Sequence, residues 1–217
     1  MIPYYYDLDP ANVDVDGIAA SQTTAGAGNL LLNGALSALG TAGQFDIGDS
    51  YSSGIGGVII AIVSVGDVST VNFTVTGKDQ DGNAITEVIT GVTAVPVQST
   101  NYWSQITQIA VDAAVGSAVT VGTVDEIITR TLPLNWRAGE AATVVVSGLV
   151  GTCQFDIDET FDDMSNNTGF NWSTNLSNQS ANVSGLLTLH ATACRLKFDS
   201  YVDGAELQFA ALQGGLT

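Results

Sequence analysis

The feature that most constrains the fold is a series of short segments in which apolar and polar residues alternate. VNFTVT (71–76) and AITEVITG (84–91) alternate with a period of two, which is typical of half-buried β-strands. GVIIAIVSV (57–65) is a β-branched run without helical spacing. Turn-forming residues separate the three segments, so this part of the chain is predicted to form an antiparallel meander.

The same pattern recurs along the rest of the chain. Further strand candidates lie at 105–111, 118–122, 126–132, 143–151, 153–158, 182–191, 194–201 and 206–212. Their spacing and the Gly, Asn, Asp and Ser residues between them favour an all-β fold, an antiparallel sandwich or barrel, and we predict a β-sandwich of jelly-roll-like type.

The first fifty residues differ from the rest of the chain. Residues 1–50 mix short β-like stretches with small-residue linkers, and such a segment buries too little surface to fold alone. We therefore predict an extended N-terminal arm, ordered against the main domain or a neighbouring subunit. A β domain is expected at 51–140, followed by a C-terminal β region at 141–217 that belongs to the same domain or forms a second one.

The charge balance excludes one class of partner. The 217 residues include 22 Asp and Glu but only 5 Lys and Arg, a formal net charge of −17, so nucleic acid is not expected as a partner. Arg195 and Lys197 lie two residues apart, on one face of a predicted strand, where we expect them to pair with carboxylates of the same chain.

Membrane association is not expected either. No apolar run approaches the roughly 18 residues that a membrane span needs. The opening MIPYYYDLDP lacks the basic and apolar regions of a secretory signal, so we expect synthesis in a cytoplasm. Cys153 and Cys194 fit a reducing compartment as buried free thiols, with a disulfide as the alternative.

An acidic cluster, Asp79, Asp81 and Glu87, suggests a calcium loop at first sight. In an EF-hand register that starts at Asp79, the required glycine falls at the wrong position and Thr90 replaces the bidentate Glu. The Asp81–Gly82 pair between two alternating segments is instead a strong hairpin signal, because glycine accepts the positive φ of the turn. A hairpin is therefore predicted here.

A second acidic cluster lies in 156–182, which we predict to be a long irregular segment. Asp156, Asp158 and Asp162 are weak candidate ligands for a divalent cation. No spacing template supports a metal beyond the density of carboxylates, so a solvated loop is preferred, with no metal and no cofactor. The aromatic residues of this region, among them Phe161, are expected to hold it against the domain.

Catalytic signatures are weak. His190 lies in an apolar alternation that favours a structural role over that of a general base. Cys153 and His190 would form a nucleophile pair only if the fold brought them together. No nucleophile elbow, zinc spacing or phosphate loop is present, so the chain is not expected to be an enzyme.

Three stretches together resemble tailed-phage virion proteins of the capsid-decoration, or cement, type. They are IAASQTTAGAGNLLLNG (18–34), FTVTGKDQDGNAITEVITG (73–91) and VQSTNYWSQITQIAV (97–111). The resemblance covers roughly the first 125 residues and brings no active-site residues. It implies a noncatalytic protein on the outer surface of a phage capsid, bound to the major capsid protein and assembled as a homo-oligomer, with a trimer favoured.

Two sets of residues are candidate contacts. Tyr4, Tyr5 and Tyr6, with Leu30, Leu31 and Leu32, are candidates for capsid or intersubunit contact, although the tyrosines could equally cover the chain's own domain. The alternative function is a tail or vertex component, or a receptor- or glycan-binding virion module. Its face would consist of Phe170, Asn171 and Trp172, since aromatic rings and amides suit sugars.

Overall fold

The chain is almost entirely β-structure with antiparallel pairing, which confirms the predicted fold class. The computed structural model describes residues 4–135, 140–165 and 170–213. Within these ranges the helical elements are a 3-10 turn at Leu36–Ala38 and a short α-helix, α1, at Ile47–Ser50. No helix among the described residues is long and apolar enough to span a membrane.

The strands follow one another closely along the described chain. In order they are β1 (Tyr4–Leu8), β2 (Ala19–Thr24), β3 (Gly28–Asn29), β4 (Phe45–Asp46), β5 (Ile55–Ser64), β6 (Asn72–Asp79), β7 (Ala84–Thr90), β8 (Val97–Gln98), β9 (Trp103–Val111), β10 (Val115–Thr129), β11 (Leu132–Pro133), β12 (Thr143–Val150), β13 (Cys153–Thr160), β14 (Trp172–Gln179), β15 (Val183–Leu186), β16 (Ala193–Tyr201) and β17 (Glu206–Leu212).

The chain divides into two compact units, and the division differs from the predicted boundaries. Unit 1 comprises 1–12, 52–56 and 125–217, and unit 2 comprises 13–51 and 57–124. The sequence of unit 1 begins at the N-terminus, returns at 52–56 between the two parts of unit 2, and resumes late in β10. The predicted boundary near residue 140 does not separate the units, because it falls inside unit 1.

Unit 1 has the topology of a jelly roll. One sheet has the order β1-β17-β12-β15, and the strands β14, β13, β16 and the end of β10 follow one another in the second. Numbered along the chain from one to eight, these strands give the orders 1-8-3-6 and 2-7-4-5. Two sheets with this connectivity form the double Greek key of an eight-stranded jelly roll.

The two sheets of unit 1 enclose a core of large apolar side chains. Phe155 on β13, Phe198 on β16 and Phe209 on β17 are fully buried, and the rings of the first two lie 6.5 Å apart. The edge strands β15 and β14 of the two sheets also face each other, since a Cβ added at Gly185 on β15 would lie 2.8 Å from Leu176 Cδ1 on β14. Burying a side chain of this size contributes about 1.5–3 kcal/mol, so these rings are a main source of stability.

Unit 2 is built around β9. This strand pairs with β6 and β5. β3 pairs with the last two residues of β9, β4 pairs with its third and fourth residues, and β6 also pairs with β7. The core includes the buried side chains of Phe45, Phe73, Trp103 and Ile106. Because β2, β3 and β4 pair with strands of this unit, most of the predicted arm is part of its fold.

The segment predicted to be a long irregular loop also contains regular structure. β13 extends to Thr160, and Trp172–Gln179 forms β14, which pairs with β13 from Phe155 to Thr160. Polar residues dominate β14 because it is an edge strand with a largely solvated face, so the alternation used to recognise strands is weak there.

Candidate functional site

The outer face of β13 and β16 carries a nearly buried ion pair. Arg195 Nε lies 3.2 Å from Asp158 Oδ2, and the side chains are 12% and 7% exposed. Asp158 and Arg195 are direct partners in the ladder, so their side chains leave the sheet on the same side. Thr174 on β14 donates its hydroxyl to Asp158 Oδ1 over 2.9 Å.

The second cation of this face pairs in the same way. Lys197 Nζ lies 2.7 Å from Asp199 Oδ1 and 4.0 Å from Asp156 Oδ2. Asp156 also accepts the backbone N–H of Asn178 over 2.8 Å. The prediction that Arg195 and Lys197 serve as local partners for carboxylates is therefore confirmed.

Aromatic residues extend this face at the start of β14. The guanidinium carbon of Arg195 lies 4.0 Å from the centre of the Trp172 ring, a cation–π contact. Phe170 meets Trp172 edge to face, with ring centres 6.4 Å apart. Asn171 donates both its backbone N–H and its amide to Asp162 Oδ2. The three residues predicted as a glycan face are thus neighbours, but their rings and amide have contacts within the chain.

The weak metal candidates do not form a common site. Asp158 pairs with Arg195, Asp156 with Lys197 and Asn178, and Asp162 with Asn171. Across the described residues no three His, Cys, Asp or Glu side chains are grouped as ligands of one metal ion. The carboxylates instead cross-link β13 to its neighbouring strands and to the segment before β14.

The first acidic cluster forms the predicted hairpin between β6 and β7. Asp79 Oδ1 accepts the backbone N–H groups of Asp81 and Asn83 over 2.9 and 2.8 Å. Gly82 has φ +84°, which a residue with a Cβ adopts at a cost. Glu87 lies away from this turn and accepts the N–H groups of Thr100 and Asn101.

Cys153 and His190 are not brought together. Cys153 begins β13 opposite Tyr201, whereas the segment after His190 joins the other end of the strand, where Thr192 N–H donates to Thr160 O over 2.8 Å. These ends are about 23 Å apart at the usual rise of a strand. Burial also raises the pKa of the Cys153 thiol to about 11, which makes it a poor nucleophile at neutral pH.

An open cleft of about 900 Å³ lies beside that end of β13, within unit 1. Pro133, Leu134, Phe161, Asp163, His190 and Thr192 contribute to its walls. Phe161 is 49% exposed, so the expectation that it holds the segment against the domain is wrong. Sequence reasoning missed this cleft because its walls come from three separate loops that only the fold brings together.

The predicted contact tyrosines belong to β1, the edge strand of one jelly-roll sheet. Tyr6 faces inward and packs against Gly54, whereas Tyr5 is 48% exposed on the outer face. The Tyr5 hydroxyl donates to Asp7, and this hydrogen bond raises the pKa of the phenol. The side chain of Tyr4 lies outside the described part of the structure.

The predicted contact leucines are split between core and surface. Leu30 and Leu32 are buried within unit 2, so they are unavailable to a partner. Leu31 is 67% exposed, and the side chain of Gln22 holds its backbone through two hydrogen bonds of 2.9 Å. Of the six predicted contact residues, Tyr5 and Leu31 are the ones with a described, exposed side chain.

Comparison with known proteins does not assign this chain to a family. No family model matches the chain, and no curated protein matches it. One solved structure is similar over 96% of this chain and 98% of its own, the N-terminal CBM22-1-CBM22-2 tandem domain from Paenibacillus barcinonensis Xyn10C, with 8% identity and a TM-score of 0.23.

Proposed function

We propose that this chain is a noncatalytic structural protein of a phage virion, which binds the outer capsid surface as a cement or decoration protein. The observation that carries the proposal is the edge strand β1 with its exposed Tyr5. Among the described residues β1 pairs with β17 alone, which places it at the edge of its sheet. An extended segment of the major capsid protein could add to this edge by main-chain hydrogen bonds, with Tyr5 as an aromatic anchor.

The charge supports an exterior position. A formal net charge of −17 repels packaged DNA and neighbouring particles, and it suits a protein made in the host cytoplasm that must not bind nucleic acid. Assembly as a homo-oligomer, with a trimer favoured, would join several weak edges into one strong attachment.

The jelly roll is compatible with the proposal without selecting it. Viral capsid domains and lectin domains both use this architecture, so the fold permits a structural or a sugar-binding role. The resemblance of three stretches in the first 125 residues to cement proteins favours the structural role.

The test is co-sedimentation of the purified protein with particles of its major capsid protein, with bound copies counted per particle. Deleting the N-terminus is unsuitable, because it would remove β1 and the buried Leu8 from the fold. Tyr5→Asp places a charge on the proposed contact while leaving the inward-facing residues intact. Leu186→Asp is the matched control, since Leu186 is 69% exposed on β15, the opposite edge of the same sheet.

The proposal expects saturation at a copy number proportional to the capsid subunits, a large loss of occupancy for Tyr5→Asp and no loss for the control. Occupancy at a few sites per particle would indicate a tail or vertex component instead. Equal loss in both variants would show that β1 is not the attachment site.

A further inference from the structure

The cleft beside the end of β13 has the character of a small-ligand site. Its volume of about 900 Å³ lies within the usual range of ligand pockets. Pro133 and the largely buried Leu134 provide an apolar wall, and Phe161 adds a ring that is half exposed. An aromatic side chain left half uncovered at a concave surface offers area that a ligand can bury.

Hydrogen bonds to the backbone hold the part of the wall around Thr192 and Leu134 in place. Thr192 N–H donates to Thr160 O, and Leu134 N–H donates to Thr192 O, each over 2.8 Å. The Thr192 hydroxyl donates to the carbonyl of Asp162 over 2.7 Å, which leaves its oxygen able to accept from a ligand. The cleft is therefore largely preformed, which reduces the entropy lost on binding.

Polar groups converge on the same cleft. Asp163 Oδ1 accepts the N–H of Ser165 over 2.9 Å, and this hydrogen bond lowers the pKa of the carboxyl, so the group is ionised at neutral pH with acceptor capacity to spare. His190 contributes to the lining from a turn in which its φ is +73°, a conformation more often found at functional sites.

We infer that this cleft binds a neutral saccharide, with a sugar ring against Phe161 and its hydroxyls bonded to Asp163, His190 and Thr192. The C–H face of a sugar suits an exposed aromatic ring, and its hydroxyls suit a carboxylate acceptor. Acidic sugars are disfavoured, because Asp163 and the net charge of −17 repel them. The cleft residues named above do not belong to β1, and sugar binding there does not depend on attachment to a capsid.

The site differs from the face formed by Phe170, Asn171 and Trp172. On that face Arg195 occupies one side of the Trp172 ring, and Asp162 accepts both N–H groups of Asn171. The two surfaces can therefore be separated by substitution, with Phe161 reporting on the cleft and Trp172 on the other face.

The first measurement is binding of the full chain to an array of neutral and acidic glycans, with each positive glycan then titrated free in solution. His190 is the one histidine in the sequence, so its imidazole gives a resolved proton NMR signal at the cleft itself. We expect a neutral glycan to bind and to shift this signal. Retention of no neutral glycan, or binding limited to acidic glycans, would overturn the inference.

Substitution then locates the site. Phe161→Ala should weaken binding by about tenfold, because it removes the aromatic ring that contacts the sugar. Phe161→Tyr should retain binding, because tyrosine keeps that ring. Trp172→Phe keeps an aromatic ring on the other face and should leave the affinity unchanged. Full affinity in Phe161→Ala, or a His190 signal that does not move on binding, would place the sugar elsewhere and refute the inference.

Discussion

Replacing Arg195 by methionine tests whether a nearly buried ion pair stabilises the outer face of unit 1. The guanidinium lies 3.2 Å from Asp158 and 4.0 Å from the centre of the Trp172 ring. Methionine keeps much of the aliphatic volume of arginine but removes the charge and all the N–H donors of the side chain. The substitution therefore removes the electrostatic contacts while largely preserving the packing.

The size of the effect can be worked out from this geometry. At 3.2 Å and an effective dielectric constant of about 20, two unit charges attract by roughly 5 kcal/mol. Desolvation offsets most of this gain while both partners are present. When Arg195 is lost, the 7% exposed carboxylate of Asp158 remains shielded from water without its cation. We expect Arg195→Met to lower the free energy of unfolding by about 3–4 kcal/mol, including about 1 kcal/mol from the cation–π contact.

Urea unfolding followed by far-UV circular dichroism measures this change. Asp158→Leu should cost a similar amount, because it leaves the arginine uncompensated. The double variant should cost much less than the two single changes together, since neither charge then remains buried. A loss below about 1 kcal/mol in Arg195→Met, or additive losses in the double variant, would refute the reasoning.

Two further predictions concern local geometry. Asp79→Ala should destabilise the β6–β7 hairpin by about 1–2 kcal/mol, because the N–H groups of Asp81 and Asn83 lose their acceptor, whereas Asp79→Asn should cost less since its amide oxygen still accepts. Equal losses of unfolding free energy for the two variants in urea would contradict this prediction. A rise in the melting temperature of the unsubstituted protein on adding Ca²⁺ would contradict the interpretation of this acidic cluster as a hairpin turn. The thiols of Cys153 and Cys194 should react with a disulfide reagent at pH 8 at least 100-fold more slowly in the folded chain than in urea. Burial raises their pKa values to about 11 and about 12, so the thiolate form is scarce; fast reaction of the native protein would show that they are accessible.

The β-structure of this chain could be predicted because its signal is local. Alternation in 71–76 and 84–91 and the Asp-Gly turn between them specify a hairpin whatever lies around it, and β6 and β7 form as predicted. The pairing of Arg195 and Lys197 with nearby carboxylates was predictable for the same reason, since residues two apart on a strand share a face.

Where the alternation of apolar and polar residues is weak, the sequence predicts no strand or divides one strand into two. β14 is polar throughout most of its length, so its neighbour β13 rather than its own sequence makes it a strand. β10 was predicted as two strands but is continuous from Val115 to Thr129, although it passes from one unit to the other. Burial by partners distant in sequence decides such cases, and propensity does not encode it.

The sequence by itself determined an acidic, all-β chain with a hairpin at residues 79–83 and with carboxylates available for its few cations. The tertiary structure alone decided that Leu30 and Leu32 are core residues, that β1 is an edge, and that Phe161 is exposed beside His190 and Asp163. The physical reason is the separation along the sequence over which each effect acts, because turn chemistry and alternation depend on residues that are neighbours in the chain. An edge, a core or a cleft exists only once strands far apart in the chain have paired.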